Sequence, residues 1–247
     1  MKKVIWNELR FFLERLEALS VSQSIVLGSG SCVSVASYAE NWVYLPEPVD
    51  AYDYVMEATM FFDELEETFM WPLYEGSGEF LEKDGVDYVG DLTAMSLDPE
   101  DADFSRANGR VKCERVSSLE DAMLWARTGW RSFGGDDDVP EEYRAFISAL
   151  HNEGKDVSLY LARLDGEAAG VFLITDEPEV TGVYYFGTLP EMRRRGVASS
   201  MMREICRLSG GKKIVLQSSP DGVEFYRSFG FTEHFRIPVY STDKEIL

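Results

Sequence analysis

The stretch PEMRRRGVASSMM, residues 190–202, decides how the second half of this chain is interpreted. It places three consecutive arginines in a chain of 247 residues whose formal net charge is −20. Arginines at the start of a helix oppose the helix dipole, so an exposed basic helix start, although it remains an alternative, is an unfavourable explanation for them. A bound anion would offset their charge.

The residues around the arginines predict a strand, a loop and a helix. The apolar run VTGVYYFGT, 180–188, ends at Pro190, and Gly196 opens a helix that Gly210 and Gly211 close. The first turn of a helix presents N–H groups that lack partners, and a glycine lets a ligand approach the backbone. This design favours a phosphate or pyrophosphate site. It is neither a Walker loop nor a dinucleotide fingerprint, because GxxxxGK[ST] and GxGxxG do not occur here.

Local signals predict the remaining elements of residues 111–247. Ser118 is expected to cap a helix over 119–130, and Pro140 to start a second helix that stops at Gly154. Two strands are expected about the turn LDGE, and the chain ends with a buried strand KKIVLQSSP, a short helix GVEFYRSFG and a strand FTEHFRIPVYS. With a first strand at 111–116, the order is β α α β β β α β α β.

Composition excludes several classes of protein. The apolar runs are too short to span a bilayer, and acidic residues interrupt the N-terminal segment where an export signal needs an apolar core. Three widely spaced cysteines and two histidines argue against a disulfide framework and a metal site. Residues 1–110 hold 22 of the 44 acidic residues and 7 of the 24 basic ones, which disfavours nucleic-acid binding. A cytoplasmic protein that binds neither nucleic acid nor membrane is expected.

Three motifs in this order resemble the GNAT superfamily of N-acetyltransferases. Arg193, Gly196 and Ala198 match its signature [RQ]-x-x-G-x-[GA], YYFGTLPEM resembles the strand and turn before it, and LQSSPDGVEFYRSFGF resembles the following strand and short helix. The resemblance covers 111–247. It implies an α/β (α+β) fold, with a mixed, mostly antiparallel twisted sheet flanked by helices, and acetyl-CoA as co-substrate without a metal.

The resemblance also implies where acetyl-CoA binds. The backbone of the arginine loop would wrap the pyrophosphate, and the end of the preceding strand would pair with the pantetheine arm. That strand and KIVLQSS would separate to admit the thioester, and a backbone N–H near Leu189 would polarise the acetyl carbonyl. The implied cofactor-binding residues are Gly187, Thr188, Leu189, Arg193, Arg194, Arg195, Gly196, Val197, Ala198 and Ser199.

Tyr226 occupies the position of the family's usual proton donor. A phenol suits the protonation of a departing thiolate, although Tyr226 is alternatively one core aromatic among Phe225, Phe229 and Phe231. The general base is left open, because the 180–188 strand carries no carboxylate. Glu179 only precedes this strand, and Tyr184 or Tyr185 lies within it. A water chain is as good a candidate as a side chain.

The loop RTGWRSFGGDDDVP is expected to line the acceptor groove, by resemblance to the same family. Trp130 and Phe133 would form an aromatic wall there, and the three aspartates at 136–138 would attract a cationic amine. A merely solvated acidic loop is the alternative. The acceptor is thus an amine, either a small molecule or a peptide, with a cationic amine as the hypothesis.

The first half follows the same template in a shortened form. From NWVYLPE to VDYVGDLTAMSLD, the order β α β α β predicts a diverged GNAT-like domain over 1–105, joined to the 111–247 domain by a polar linker at 96–110. Where the second copy has arginines, the first has Asp50 and Asp53, which repel a pyrophosphate. One acetyl-CoA site per chain is therefore expected.

The leading hypothesis is an N-acetyltransferase that moves an acetyl group from acetyl-CoA to a primary amine by direct attack in a ternary complex. No cysteine suits a covalent intermediate, because Cys206 lies on the inner face of its predicted helix. The alternative is a non-catalytic protein that binds acyl-CoA and regulates a partner through its acidic first half. Turnover with an amine distinguishes the two.

Overall fold

The computed structural model describes residues 1–28, 30–35, 41–45, 52–74 and 78–244, except the side chains of 52 and 53. The described chain divides into two compact units. The first contains Met1–Ala94 with two segments from the other end, Gln217–Val223 and His234–Leu247, and the second contains Met95–Leu216 and Glu224–Glu233. The division into 1–105 and 111–247 stays a prediction.

The first unit begins with an amphipathic helix whose apolar residues recur every three or four positions. Ile5, Leu9 and Leu13 on this helix are buried, as the periodicity predicts. The elements of this unit are α1 Lys2–Glu17, β1 Ser22–Leu27, β2 Gly30–Val35, β3 Asn41–Tyr44, α2 Tyr52–Glu64, β4 Met70–Pro72, α3 Glu79–Glu82, most of β5 Asp87–Leu97 and most of β11 Thr232–Ser241.

Antiparallel pairs dominate the sheet of the first unit, in which the strand order is β1-β2-β3-β4-β11-β5. The β3/β4 pair is parallel, whereas β1/β2, β2/β3 and β4/β11 are antiparallel. Phe62 of α2 stacks on Phe69 with ring centroids 4.7 Å apart, and both pack with the fully buried Trp71. The β α β α β order from β3 to β5 is confirmed.

The hairpin formed by β1 and β2 was not predicted from the sequence. Its strands, SQSIVL and GSCVSV, contain small polar residues where a strand pattern normally shows large alternating ones. All six residues of β2 are nonetheless buried. Gly28, at a φ of +57°, provides the left-handed conformation that the turn before β2 uses.

The second unit follows the predicted order β α α β β β α β α β, whose last strand runs on into the first unit. Its elements are β6 Val111–Arg115, α4 Leu119–Ser132, α5 Glu141–Glu153, β7 Val157–Leu164, β8 Glu167–Thr175, β9 Val180–Thr188, α6 Val197–Leu208, most of β10 Lys213–Ser218 and most of α7 Val223–Arg227. The predicted cap is confirmed, since the Ser118 hydroxyl accepts a hydrogen bond from the Asp121 N–H at 3.1 Å.

Helices α4 and α6 cover opposite faces of the sheet in the second unit, where the strand order is β10-β9-β8-β7-β6. A Cβ placed on Gly170 of β8 would lie 3.0 Å from the sulfur of Met201 on α6. The next residue, Val171, instead contacts the position of a Cβ on Gly129 of α4, at 3.5 Å. Successive residues of a strand point to opposite faces, so the sheet lies between the two helices.

The predicted fold class is confirmed. Strands β6, β7, β8 and β9 form antiparallel pairs, and β9 and β10 form a parallel one. The predicted linker at 96–110 is partly strand, because β5 continues to Leu97, and a 3-10 turn follows at Pro99–Asp101. Within the described ranges, no helix has the length and apolar character that crossing a membrane requires.

Candidate active site

The loop after β9 enters α6 through a left-handed glycine. Gly196 has a φ of +81° and is the N-cap of α6, and no side chain caps this helix start. Arg194 is also left-handed, at a φ of +59°. The N–H groups of the first turn, at Val197, Ala198 and Ser199, therefore meet the condition for binding an anion.

A segment that the sequence assigned to a linker lies directly against this loop. A Cβ on Gly196 would lie 2.6 Å from the carbonyl oxygen of Arg106, so a second reason for this glycine is the close approach of another backbone. The Asn108 side-chain amide donates to the Arg195 carbonyl at 3.0 Å. The backbone N–H of Asn108 donates to the Ser200 hydroxyl at 2.9 Å, and the proton of that hydroxyl is shared between the Gly196 carbonyl at 2.9 Å and the Asn108 carbonyl at 3.1 Å. No local signal in the sequence reveals this contact.

The three arginines of the loop have different environments. The guanidinium of Arg193 donates to the carbonyl of Thr188 at 3.3 Å and to that of Ser132 at 3.2 Å, so it joins the end of β9 to the end of α4. Arg195 contacts the sulfur of Met192 at 3.0 Å. Arg194 is exposed and makes no ion pair with any residue the structure describes. Of the three, Arg194 has the cation most available to an anion.

A bulge in β9 shapes the strand next to this loop. Leu173 of β8 pairs with Tyr184, but Val171 pairs with Gly187, so two residues of β9 oppose the single residue Phe172. Tyr185 lies in the bulge with a φ of +48°, which is a strained conformation for a residue other than glycine. The Trp125 indole N–H is shared between the Tyr160 carbonyl at 3.1 Å and the Phe172 carbonyl, beside the bulge, at 3.4 Å.

The end of β9 has a free edge toward β10. The parallel ladder between these strands covers three pairs and stops at Gly182 and Val215, whereas β9 continues to Thr188. The separation that the resemblance implied is therefore present. The amide of Leu189, however, donates to the Ala169 carbonyl at 3.0 Å. That N–H already has a partner, so it is not the free donor expected to polarise an acetyl carbonyl.

Tyr226 lies beside β9. Its ring centroid is 6.1 Å from that of Phe186, the residue before Gly187, and 5.4 Å from that of Phe231. The Tyr226 side chain is half-buried, and desolvation raises the pKa of its phenol well above the ordinary value. The structure thus brings the predicted proton donor to the strand segment predicted to hold the thioester, and keeps its hydroxyl protonated at neutral pH.

The opposite side of β9 carries an aromatic cluster, defined here as Trp125, Trp130, Phe133, Tyr143, Phe146 and Tyr185. The ring of Tyr185 lies 5.7 Å from Trp125, 6.1 Å from Phe146 and 6.4 Å from Phe133. Tyr143 joins Trp130 to Phe146, at 5.5 Å and 6.3 Å. Both predicted acceptor-wall residues, Trp130 and Phe133, belong to this cluster, and Phe133 is 57% exposed.

The acidic loop at 136–138 is partly neutralised. Asp137 lies 3.4 Å from the guanidinium of Arg131 and 3.6 Å from that of Arg127. A carboxylate of Asp136 accepts the backbone N–H of Asp138 at 2.9 Å. The charge available to attract a cationic acceptor is therefore smaller than three consecutive aspartates suggest.

Glu179 lies far from the proposed reaction centre. It is exposed and precedes the first residue of β9, whereas Gly187 is near the last. At about 3.3 Å per residue, the strand separates the two by roughly 26 Å. The sequence also predicts that Asp50 and Asp53 replace the arginines in the first half. Asp50 and the side chain of Asp53 lie outside the described residues.

Comparison with known proteins agrees with this geometry. A family model described as the acetyltransferase (GNAT) family matches residues 119–231. No curated protein sequence matches the chain significantly.

Solved structures with the same fold cover nearly the whole chain. A GCN5-related N-acetyltransferase from Kribbella flavida superposes with a TM-score of 0.68 at 16% identity, over 98% of this chain and 94% of that one. A putative GNAT-family acetyltransferase from Novosphingobium aromaticivorans gives a TM-score of 0.56 at 15% identity, over 96% and 95% of the two chains. At these identities the likeness shows the fold alone.

A tandem GNAT protein from the clavulanic acid biosynthesis pathway bears on the first half. It superposes with a TM-score of 0.58 at 11% identity, over 91% of this chain and 84% of that one. Because the alignment includes the N-terminal half, that half also shares the fold of GNAT proteins. Residues 119–231 therefore match the GNAT acetyltransferase family, a finding that supports an acetyltransferase.

Proposed function

We propose that this protein transfers an acetyl group from acetyl-CoA to a primary amine, which attacks directly in a ternary complex. The observation that carries the proposal is the position of Tyr226, whose ring contacts β9 at Phe186, next to the unpaired edge of the strand. A protonated phenol thus stands beside the strand segment that the GNAT resemblance assigns to the thioester.

The residues of the loop after β9 fit the phosphates of acetyl-CoA. The uncapped first turn of α6 offers N–H donors, and Arg194 offers a guanidinium without an ion-pair partner among the described residues. The edge of β9 at Gly187 and Thr188 offers backbone groups for the pantetheine arm. Acetyl-CoA supplies an acyl group that its thioester makes susceptible to a nitrogen nucleophile. We also propose that each chain has one acetyl-CoA site and that the protein is cytoplasmic.

Proton transfers follow from the residues present. The amine nitrogen bonds to the acetyl carbon as the carbon–sulfur bond breaks, and the departing thiolate takes a proton from Tyr226, which regains one from water. Because burial raises the pKa of Tyr226, this phenol holds its proton until negative charge develops on sulfur. In a second proton transfer, the nitrogen of the attacking amine loses a proton. Since β9 carries no carboxylate, water is the acceptor that we propose for it.

The test measures thiol release from acetyl-CoA with a panel of primary amines, together with the Kd for acetyl-CoA by calorimetry. Tyr226→Phe keeps the ring contacts and removes the hydroxyl, so kcat should fall about 100-fold while the Kd changes less than twofold. The control is Tyr160→Phe, because Tyr160 stacks on Phe172 at 4.9 Å and lies outside the site. An unchanged kcat in Tyr226→Phe contradicts the role of the phenol, and acetyl-CoA binding without turnover of any amine contradicts the enzyme.

A further inference from the structure

Strand β1 is the outermost strand of the sheet in the first unit, and among the described residues no strand pairs with its outer side. An outermost strand presents a row of unpaired N–H and C=O groups. Proteins normally protect such an edge with charged residues, with proline or with a covering element. The residues of β1, SQSIVL, include neither a charge nor a proline. This edge is therefore open to pairing with another strand.

The outermost strand of the second unit, β6, shows the usual protection. Its five residues, VKCER, include Lys112, Glu114 and Arg115. By contrast, the segment 18–39, which contains the β1/β2 hairpin, has no charged residue, although 28% of the residues in the chain are charged. The lack of charge is thus particular to the hairpin and is not shared by the outermost strand of the second unit.

The second unit also shows what covers the corresponding edge. In each unit, two antiparallel pairs precede a parallel pair: β1/β2, β2/β3 and β3/β4 in the first, and β7/β8, β8/β9 and β9/β10 in the second. Strand β1 therefore corresponds to β7. The outer side of β7 is covered by β6, which pairs with it in the antiparallel direction from Val111 to Arg115. The equivalent position beside β1 suits an antiparallel strand.

The geometry of the hairpin determines which backbone groups of β1 face outward. Two residues connect β1 to β2, so the last residue of β1, Leu27, exchanges hydrogen bonds with β2, and every second residue before it does the same. Ser24 and Val26 lie between these and direct their N–H and C=O groups outward. Both are exposed, Val26 by 74%. Ser22 is in the same phase, but its N–H donates to the Leu19 carbonyl at 3.0 Å.

We propose that β1 pairs with β1 of a second copy of this chain, in the antiparallel direction, about a two-fold axis at Ile25. In this register Ser24 of each copy exchanges hydrogen bonds with Val26 of the other, which satisfies the outward N–H and C=O groups of both residues. Ile25, which is partly exposed, then contacts Ile25 of the other copy across the axis. The inference does not depend on the proposed acetyl transfer.

The charge pattern favours a second copy as the occupant of this edge. Two chains that each carry a net charge of −20 repel one another, and the uncharged 18–39 segment is where they approach at the least electrostatic cost. A charged partner would find no opposite charge there. Because salt screens the remaining repulsion between the two acidic chains, added NaCl should strengthen the dimer.

Sedimentation equilibrium of the full chain measures the dimer and its Kd. One paired strand edge makes a small interface, so we expect a Kd of about 1–100 μM for the wild type. Val26→Pro removes the outward N–H and no hydrogen bond to β2, so the hairpin itself should tolerate it. The dimer loses one donor from each copy, and its Kd should rise at least about tenfold. Val26→Ala is the matched control, which keeps the N–H and should change the Kd less than about threefold.

Disulfide formation tests the position of the axis. Ile25→Cys is made together with Cys32→Ala, because Cys32 lies opposite position 25 in the hairpin. In the proposed register the two introduced thiols face each other with their Cα atoms about 4.5 Å apart, which a disulfide can span. Oxidation should therefore give a covalent dimer. Gln23→Cys in the same background is the control, since its two copies would lie about 13 Å apart along the strands.

Three results would overturn the inference. The first is a wild type that remains a monomer above about 100 μM, which would leave the edge to a different partner. The second is a dimer whose Kd is the same in Val26→Pro as in the wild type. The third is crosslinking of Gln23→Cys as readily as Ile25→Cys. Circular dichroism shows whether Val26→Pro is folded, and if it is not, the crosslinking alone decides.

Discussion

Replacing Gly196 with alanine tests whether the contact with residues 106–108 determines the shape of the loop before α6. An alanine held at a φ of +81° costs about 1–2 kcal/mol in conformational energy. Its Cβ would lie 2.6 Å from the Arg106 carbonyl oxygen and 2.9 Å from the Asn108 Cβ. The nearer neighbour is backbone, so the segment has to move, and this movement weakens the three hydrogen bonds that Asn108 makes with Arg195 and Ser200.

The expected loss follows from these terms. Each weakened hydrogen bond contributes about 0.5–1.5 kcal/mol net, so Gly196→Ala should lower the free energy of unfolding by roughly 2–5 kcal/mol. Gly210→Ala is the matched control at the other end of α6. Gly210 is also left-handed, at a φ of +62°, but a Cβ there meets nothing within 4 Å. It should therefore lose only about 1–2 kcal/mol.

Urea unfolding of both variants, with and without acetyl-CoA, measures the difference. Without ligand, Gly196→Ala should unfold at a clearly lower urea concentration than Gly210→Ala. A ligand at 100 times its Kd stabilises a protein by about 2.7 kcal/mol, and Gly210→Ala should keep this gain while Gly196→Ala loses it. Equal midpoints for the two variants would refute the argument, since they would mean that the close approach of Arg106 imposes no constraint.

Three further predictions concern single groups. Ser118→Ala removes the hydroxyl that accepts the Asp121 N–H and should lower stability by about 1 kcal/mol in thermal unfolding, with no effect on the Kd for acetyl-CoA. Since folding raises the pKa of Tyr226, the unfolded state loses the phenol proton first above about pH 10, and the stability of the folded state should fall as the pH rises there. Urea midpoints at pH 9 and pH 11 measure this loss of stability. The loss should be smaller in Tyr226→Phe than in the wild type. Asp137→Asn breaks exposed ion pairs with Arg127 and Arg131 and should change stability by less than about 1 kcal/mol, an effect that added salt should abolish.

Local signals in the sequence predicted most elements of the second unit. The Ser118 cap, Pro140 before α5 and Gly196 before α6 each act within one helical turn of their own position, so they can be recognised without knowing the fold. The hairpin at 22–35 was missed because its serines carry no strand signal, and its burial comes from tertiary packing.

The sequence motif predicted where the site lies, but the sequence did not predict which residues contact one another there. The pattern around Gly196 indicates an anion site, yet its contact with Arg106 joins positions 90 residues apart in the chain. Arg193 matches the signature, but the carbonyls of Thr188 and Ser132 that engage it are defined only once β9 and α4 have packed together. The bulge at Tyr185 depends in the same way on the register between β8 and β9.

Because Asn108 contacts the loop before α6, a chemical change of the Asn108 side chain would directly affect the proposed anion site. Asn108 is followed by Gly109, the asparagine–glycine pair that loses its side-chain amide most readily, and asparagine is among the thermolabile residues. Deamidation would exchange the N–H that donates to the Arg195 carbonyl for a carboxylate oxygen that repels it. The new negative charge would lie beside the first turn of α6, where it interacts favourably with the helix dipole. An aged protein would thus carry its own negative charge next to the helix start that is proposed to bind the phosphates of acetyl-CoA.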